Sequence, residues 1–205
     1  MKSIPQAVVF DLGKVLLHFD YGIAAMKFQR RSRFSAEEVR KLIDQSPLLC
    51  ALETNELSTG EFFAELCHAT GFVGDLAEFS DIFCDVFSPI PPMIELHGRL
   101  RARGMPTYIF SNTNFLQMEF IREQYPFIAD FDGYVLSCEQ GVMKPDERIY
   151  EVVERVTGRR GDQLLYIDDR AENVATGKQR GWHVIHHTSP EMTLDAVRAA
   201  EVLPE

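Results

Sequence analysis

An α/β fold, a parallel sheet carrying a helical insert after its first strand, is what this 205-residue chain predicts. Two observations carry the expectation. Short apolar runs alternate with helix-period segments through most of the chain, and one long stretch breaks the alternation with helix signals alone. A third observation concerns chemistry: charged and polar residues gather where the apolar runs end.

The first run, QAVVFD at 6–11, stops on Asp11, and Gly13 follows two residues later. Asp and Gly taken alone make a turn. Further runs lie at 106–111 (PTYIFS), 133–137 (GYVLS), 163–168 (QLLYID) and 182–187 (WHVIHH). They are short, rich in β-branched and aromatic residues, and read as buried strands. Helical periodicity covers 91–103, 115–124, 146–157 and 170–180. In the third of these, Ile149, Val152, Val153 and Val156 share one face, and Pro145 is placed to open the helix. Strand and helix in alternation imply right-handed βαβ units and a parallel sheet covered on both faces. Such sheets bind ligands beyond the carboxyl ends of their strands. Asp11, Ser111 and the pair Asp168–Asp169 stand at those ends.

The insert spans 15–88, leaving 1–14 and 89–205 as the core. Three helix starts in it have capping-box spacing: Ser35 with Glu38, Ser58 with Glu61, and Asp75 with Glu78. Phe62, Phe63, Leu66 and Cys67 form one apolar stripe, and Leu76, Phe79, Ile82, Phe83 and Val86 form another. These stripes are packing surfaces. The insert follows Asp11 directly and is therefore placed above it.

Composition narrows the function. Hydrophobic residues make up 45% and charged residues 25%, as in a soluble protein with a full core. A net charge of −10 argues against nucleic acid, whose binding needs clustered Lys and Arg. The densest basic run, QRRSR at 29–33, reads as a solvated helix face. An anionic substrate would have to be held by a local positive site. Cys50, Cys67, Cys84 and Cys138 form no CxxC pair and read as free thiols, fitting a reducing compartment. No signal peptide is expected, because Asp11 breaks the N-terminal apolar run, and no run is long enough to span a bilayer. The expected location is cytoplasmic, with no membrane partner.

Four features then come together: Asp11, Ser111-Asn112 in YIFSNTN, Lys144 in GVMKPDERIYE, and Asp168-Asp169 in LLYIDDRAEN. Singly, Ser111 reads as a turn hydroxyl, Lys144 as a surface lysine, and Asp169 as a cap with Glu172 at capping-box distance. Together they are harder to dismiss, because adjacent carboxylates near a third repel one another. A divalent cation relieves that repulsion, and oxygen ligands with open positions suit Mg²⁺.

These motifs resemble, in order, the four motifs of the haloacid dehalogenase-like hydrolase superfamily: FDLGKV, IFSNTN, the Lys of GVMKPD, and YIDDRAEN. The likeness covers nearly the whole chain. It implies a Rossmann-like parallel sheet with the first strand central and a helical cap inserted after it. It implies Asp11 as nucleophile, forming an aspartyl-phosphate, and Mg²⁺ held by Asp11, the Gly13 carbonyl and Asp169. Asp168 and Asn173 would orient that shell. Ser111 and the Asn112 backbone amide would grip the phosphoryl oxygens, and Lys144 would neutralise charge there.

Position 13 departs from the pattern, since phosphatases of this superfamily usually carry a second Asp there as general acid and base. Such help is worth about 10²–10⁴ in rate. Three readings follow. One is a Mg²⁺-dependent phosphatase for a small phosphorylated metabolite, on a branch that resembles sugar-1-phosphate phosphatases, whose leaving groups need less protonation. Another is a non-catalytic phosphoryl-ligand-binding or scaffold protein. A third is a 2-haloacid dehalogenase, whose halide needs no proton but whose lack of a metal would leave Asp168 and Asp169 unneutralised. A glycine at 13 is also what a positive φ would call for. His18 and Asp20 are the first substitutes for the missing acid, although both have ordinary structural explanations. His186-His187 make a poor metal pair, because neighbouring strand residues face opposite ways. Trp182 reads as core.

Overall fold

The first strand, β1 (Ala7–Phe10), is buried on both faces, as its unbroken apolar sequence requires. The computed structural model describes residues 4–44 and 46–203. Positions 1–3 and 204–205, assigned above to the core, and position 45, assigned to the insert, lie outside the described residues.

After β1 come β2 (Leu17–Phe19) and five helices: α1 (Tyr21–Phe28), α2 (Ala36–Ile43), α3 (Pro47–Glu53), α4 (Thr59–Thr70) and α5 (Leu76–Cys84). The chain returns through β3 (Phe87–Pro89) and α6 (Pro91–Ala102) to β4 (Thr107–Ser111) and α7 (Phe115–Gln124). Then follow β5 (Gly133–Leu136), α8 (Ser137–Gln140), α9 (Glu147–Thr157), β6 (Leu164–Asp168), α10 (Ala171–Gln179), β7 (His183–His186) and α11 (Pro190–Ala199).

Five strands form a parallel sheet in the order β5-β4-β1-β6-β7, a Rossmann-like α/β fold with β1 at its centre. Phe10 is level with Ile109 on one side and Ile167 on the other. This register brings Asp11, Ser111 and Asp168 to one end of the sheet. Alternate residues of β1 serve different faces. Val8 and Phe10 join Met93, Leu96, Ile121 and Val197 from α6, α7 and α11. Ala7 and Val9 join Ile149, Tyr150 and Val153 from α9, with Tyr166 and Trp182.

Helices α1–α5 pack around an apolar cluster of their own, in which Phe28, Phe62, Phe79 and Phe83 are fully or almost fully buried. Phe79 and Phe83 stack at 5.3 Å between ring centroids. At the root of this insert β2 and β3 pair antiparallel, Phe19 opposite Phe87. The ribbon has no signature in the sequence, because its two short strands are joined by five helices instead of a turn.

Local corrections have local causes. The Ser35–Glu38 and Ser58–Glu61 capping boxes form in full. Asp75 accepts from the Glu78 backbone N–H, but the Glu78 carboxylate accepts from Arg31 at 2.9 Å instead of returning to the cap. Pro145 lies outside α9, whose N-cap is Asp146, accepting from the Arg148 N–H. Ile149, Val152 and Val153 are buried, whereas Val156 is 44% exposed beside the edge strand β5. Among the described residues no helix is long and apolar enough to cross a membrane. All four cysteines are free; Cys84 and Cys138 are buried, Cys50 and Cys67 half-buried.

Candidate active site

Asp11 leaves the end of β1 with its backbone N–H still donating to the Ile167 carbonyl, so the neighbouring strand fixes its position. Its Oδ1 accepts from the Leu12 N–H at 2.7 Å and lies 2.9 Å from Lys144 Nζ. The same ammonium donates to Asp168 Oδ2 at 2.7 Å and to the Phe110 carbonyl at 2.9 Å. Lys144 is therefore a buried cation, 4% exposed, and its surface reading is excluded. Its backbone is held from β4: the Asn112 side chain donates to the Lys144 carbonyl at 3.0 Å and accepts from the Lys144 N–H at 2.8 Å. That clamp was not visible in the sequence, which offered Asn112 only as a backbone donor.

Asp168 is fully buried and saturated with donors. Besides Lys144 it accepts from the Tyr166 hydroxyl, from Asn173 Nδ2 at 3.0 and 3.1 Å, and from the Arg170 N–H at 2.8 Å. Both of its oxygens are occupied, so it orients its neighbours. Asp169 is different. Its carboxylate does not cap α10, whose N-cap is Arg170 with no side-chain cap bond, and its nearest cation among the described residues is Lys14 at 4.0 Å. Oxygen atoms of Asp11, Asp168 and Asp169 all lie within 4.8 Å of one another.

The charges follow from this packing. Burial pushes the Asp11 carboxyl up to about 7; Lys144 opposes the shift, while Asp168 and Asp169 add to it. Burial would also raise Asp168, but Lys144 and the surrounding hydrogen bonds outweigh it and hold that carboxyl low. Lys144 would be lowered by burial alone, yet the two carboxylates against it hold it firmly protonated. Burial and Asp168 raise Asp169, with Lys14 acting the other way. One ammonium thus faces three crowded carboxylates, and the donor set, all hard oxygen, fits a divalent cation such as Mg²⁺.

Ser111 is buried at the end of β4, its hydroxyl donating to the Asn112 carbonyl at 3.2 Å. Gly13 does not have a left-handed backbone; the positive φ belongs to Lys14, at 59°. What requires glycine is Phe19. A Cβ at position 13 would come within 2.8 Å of Phe19 Cε1 and 3.1 Å of Cδ1.

A cavity of about 290 Å³ opens over these residues. Asp11, Gly13, Ser111, Asn112, Lys144, Asp169 and Asn173 line it from the sheet, with Lys14 and Arg170. Phe19, Tyr21, Asp44, Cys50 and Glu53 line it from the insert side. Every sequence-predicted site residue is in or directly behind this cavity. His18 and Asp20 are not: both are exposed, and Asp20 caps α1 by accepting from the Gly22 N–H. His186 and His187 also diverge, His186 towards the Asp169 carbonyl and His187 towards Thr193. Glu53 and Arg170 were missed. Arg170 adjoins the acidic pair and could have been suspected; Glu53 ends a helix of the insert and carries no motif.

The chain matches the model of the haloacid dehalogenase-like hydrolase family over residues 5–181. Acyl-CoA dehydrogenase family member 10 of Mus musculus is 26% identical over 211 residues. That alignment takes in 95% of this chain but 19% of the mouse protein, so the chain spans about a fifth of that relative's length. D-ribitol-5-phosphate phosphatase of Bacteroides thetaiotaomicron is 26% identical over 182 residues, 85% of this chain and 88% of that enzyme. A HAD family enzyme from B. thetaiotaomicron, solved as a magnesium complex, shares the fold with a TM-score of 0.78 at 20% identity. The superposition covers 90% of this chain and 94% of that one.

Proposed function

The chain belongs to the haloacid dehalogenase-like hydrolase family, and from that premise we propose that it is a Mg²⁺-dependent phosphatase of small phosphorylated metabolites. The substrate class we favour is a sugar or polyol phosphate, cleaved through an aspartyl-phosphate on Asp11. The observation that carries the reading is the Asp11 carboxylate, held by Lys144 at 2.9 Å on the floor of the cavity beneath the insert.

Phosphoryl transfer asks mainly for positioning and charge stabilisation. The Leu12 N–H and Lys144 hold one Asp11 oxygen, which fixes the carboxylate for attack on phosphorus. The Ser111 hydroxyl and Asn112 N–H are the donors we assign to the phosphoryl oxygens, and Lys144 adds positive charge beside them. Asp11, the Gly13 carbonyl and Asp169 would hold Mg²⁺, with Asp168 and Asn173 orienting the set from behind. When bound, the ion supplies Lewis-acid charge that offsets the phosphoryl group and the crowded carboxylates. Residues 15–88 act as the cap over this site, because side chains from α1 and α3 close the cavity opposite Asp11. Support for the substrate class comes from the ribitol-5-phosphate phosphatase relative, and support for the metal from the magnesium-bound fold relative. A cytoplasmic location is part of the same reading, resting on the four free thiols.

The test is a panel of phosphorylated metabolites assayed with Mg²⁺ and with EDTA, for the parent and Asp11→Asn. Metal-dependent phosphate release that Asp11→Asn abolishes is the expected result. Metal-independent halide release from 2-haloacids would make it a dehalogenase, and phosphate binding without any turnover would make it a binding protein.

A further inference from the structure

We propose that Glu53, at the end of α3, is the general acid and base that position 13 lacks. The inference rests on the phosphatase reading and extends it to the leaving group. Phe19 fills the space in which a side chain at position 13 would project, so proton transfer must come from another wall of the cavity. The insert supplies that wall. Among its described residues, Asp44 and Glu53 are the carboxylates that line the cavity, and Arg40 engages Asp44 at 3.4 Å. Glu53 is half-buried, and its carboxylate makes no hydrogen bond or ion pair among the described residues. An uncommitted carboxyl that lines the cavity from the insert, across from the nucleophile on the sheet, is placed on the side from which a leaving group departs.

Its surroundings suit the task. Tyr21 from α1, Cys50 one turn back on α3, Lys144 before α9 and Arg170 before α10 are the titratable groups around it. Burial raises the Glu53 carboxyl to about 7, with Lys144 and Arg170 pulling the other way. A group of that acidity can both give and take a proton near neutrality. Tyr21 cannot serve in its place: burial pushes its phenol far up, and its hydroxyl already donates to Gln117 at 3.2 Å.

The steps balance. As an Asp11 oxygen bonds to phosphorus, the bond from phosphorus to the leaving oxygen breaks, and its electron pair takes the Glu53 proton. Water then attacks the aspartyl-phosphate while Glu53 removes one of its protons. The bond from Asp11 to phosphorus breaks, phosphate leaves, and Glu53 is the acid once more.

The experiment compares the Mg²⁺-loaded parent and Glu53→Gln on aryl phosphates whose phenols span a wide range of acidity. These substrates carry no sugar hydroxyls, so a hydroxyl-binding role for Glu53 cannot imitate the result. The parent should show a shallow dependence of kcat on phenol acidity. Glu53→Gln should lose about 10²-fold in kcat on the least acidic phenols and little on the most acidic, with KM unchanged. Glu53→Asp, which keeps a carboxyl, should remain shallower than Glu53→Gln, and melting temperatures are measured for each. If Glu53→Gln does not fold, Glu53→Asp must lose more kcat on weakly acidic phenols than on strongly acidic ones. A uniform loss across the series, or a parent already as steep as the variant, overturns the proposal while leaving the phosphatase reading intact. A parent silent on every phosphate overturns both.

Discussion

Phe19 stands where the side chain of residue 13 would go. Its ring edge lies 2.8 Å from the Cβ that any residue but glycine would place there. The ring is held against Tyr21 at 5.5 Å and Phe87 at 6.3 Å, and Lys14 Nζ lies 5.4 Å from its centroid. The glycine is thus a packing requirement.

It follows that Gly13→Asp should fold at a cost. Displacing a packed ring by overpacking typically costs about 1–3 kcal/mol. Phe19→Leu combined with Gly13→Asp should recover part of that loss, because the branched chain can withdraw from position 13. Chemical denaturation of the two single variants and the double variant closes the cycle. Additive losses would show that the two positions do not meet.

Much of the site was legible in the chain because its parts sit at strand ends. Asp11, Ser111 and Asp168 each end an apolar run, and parallel register alone carries them to one edge. The spacing of Lys144 before α9 marked it, although only packing showed it to be buried between two carboxylates. What stayed hidden depends on how the chain turns and folds back. Phe19 meets Gly13 because a tight turn bridges Gly13 to Leu17, and Phe87 backs the ring only once β2 pairs with β3 across five helices. Glu53 reaches the cavity only because the insert folds back over the sheet, and no local spacing records that.

Asp168 and Asp169, adjacent in sequence, should behave oppositely when removed. Asp168→Ala strips Lys144, Tyr166 and Asn173 of a shared acceptor. Breaking such a buried ion pair costs about 3–5 kcal/mol. Asp169→Ala removes a partly exposed group with a cation no nearer than 4.0 Å, so its stability should stay close to the parent. Its Mg²⁺ affinity, read by calorimetry, should instead be lost. Equal affinity in Asp169→Ala and parent would remove Asp169 from the metal site.

Lys144→Met keeps the length of the side chain but leaves Asp11 and Asp168 facing each other without a cation. Both carboxyls should then hold protons to higher pH. The variant should be much less stable than the parent at about pH 8 and closer to it at about pH 5, where protonation relieves the repulsion. Thermal melts at the two pH values check this, and a pH-independent deficit would mean that Lys144 acts through packing alone.

The last prediction joins the metal to the proton. Burial lifts the Asp11 carboxyl from an ordinary 3.8 to about 7. Between those values the metal-free folded chain keeps a proton that the unfolded chain has released. The folded state binds more protons there, so the contribution of Asp11 to stability is full below the lower value and falls as pH rises through the upper one. Mg²⁺ bound at the proposed site would compete with that proton and offset the charge that remains. The gain in melting temperature on adding Mg²⁺ over EDTA should therefore be small near about pH 5 and larger near about pH 8, since only the deprotonated site binds well. Asp11→Asn, which cannot ionise, should flatten the metal-free pH profile across this window. An equal Mg²⁺ gain at both pH values in the parent would detach the ion from Asp11 and return the acidic cluster to a purely structural role.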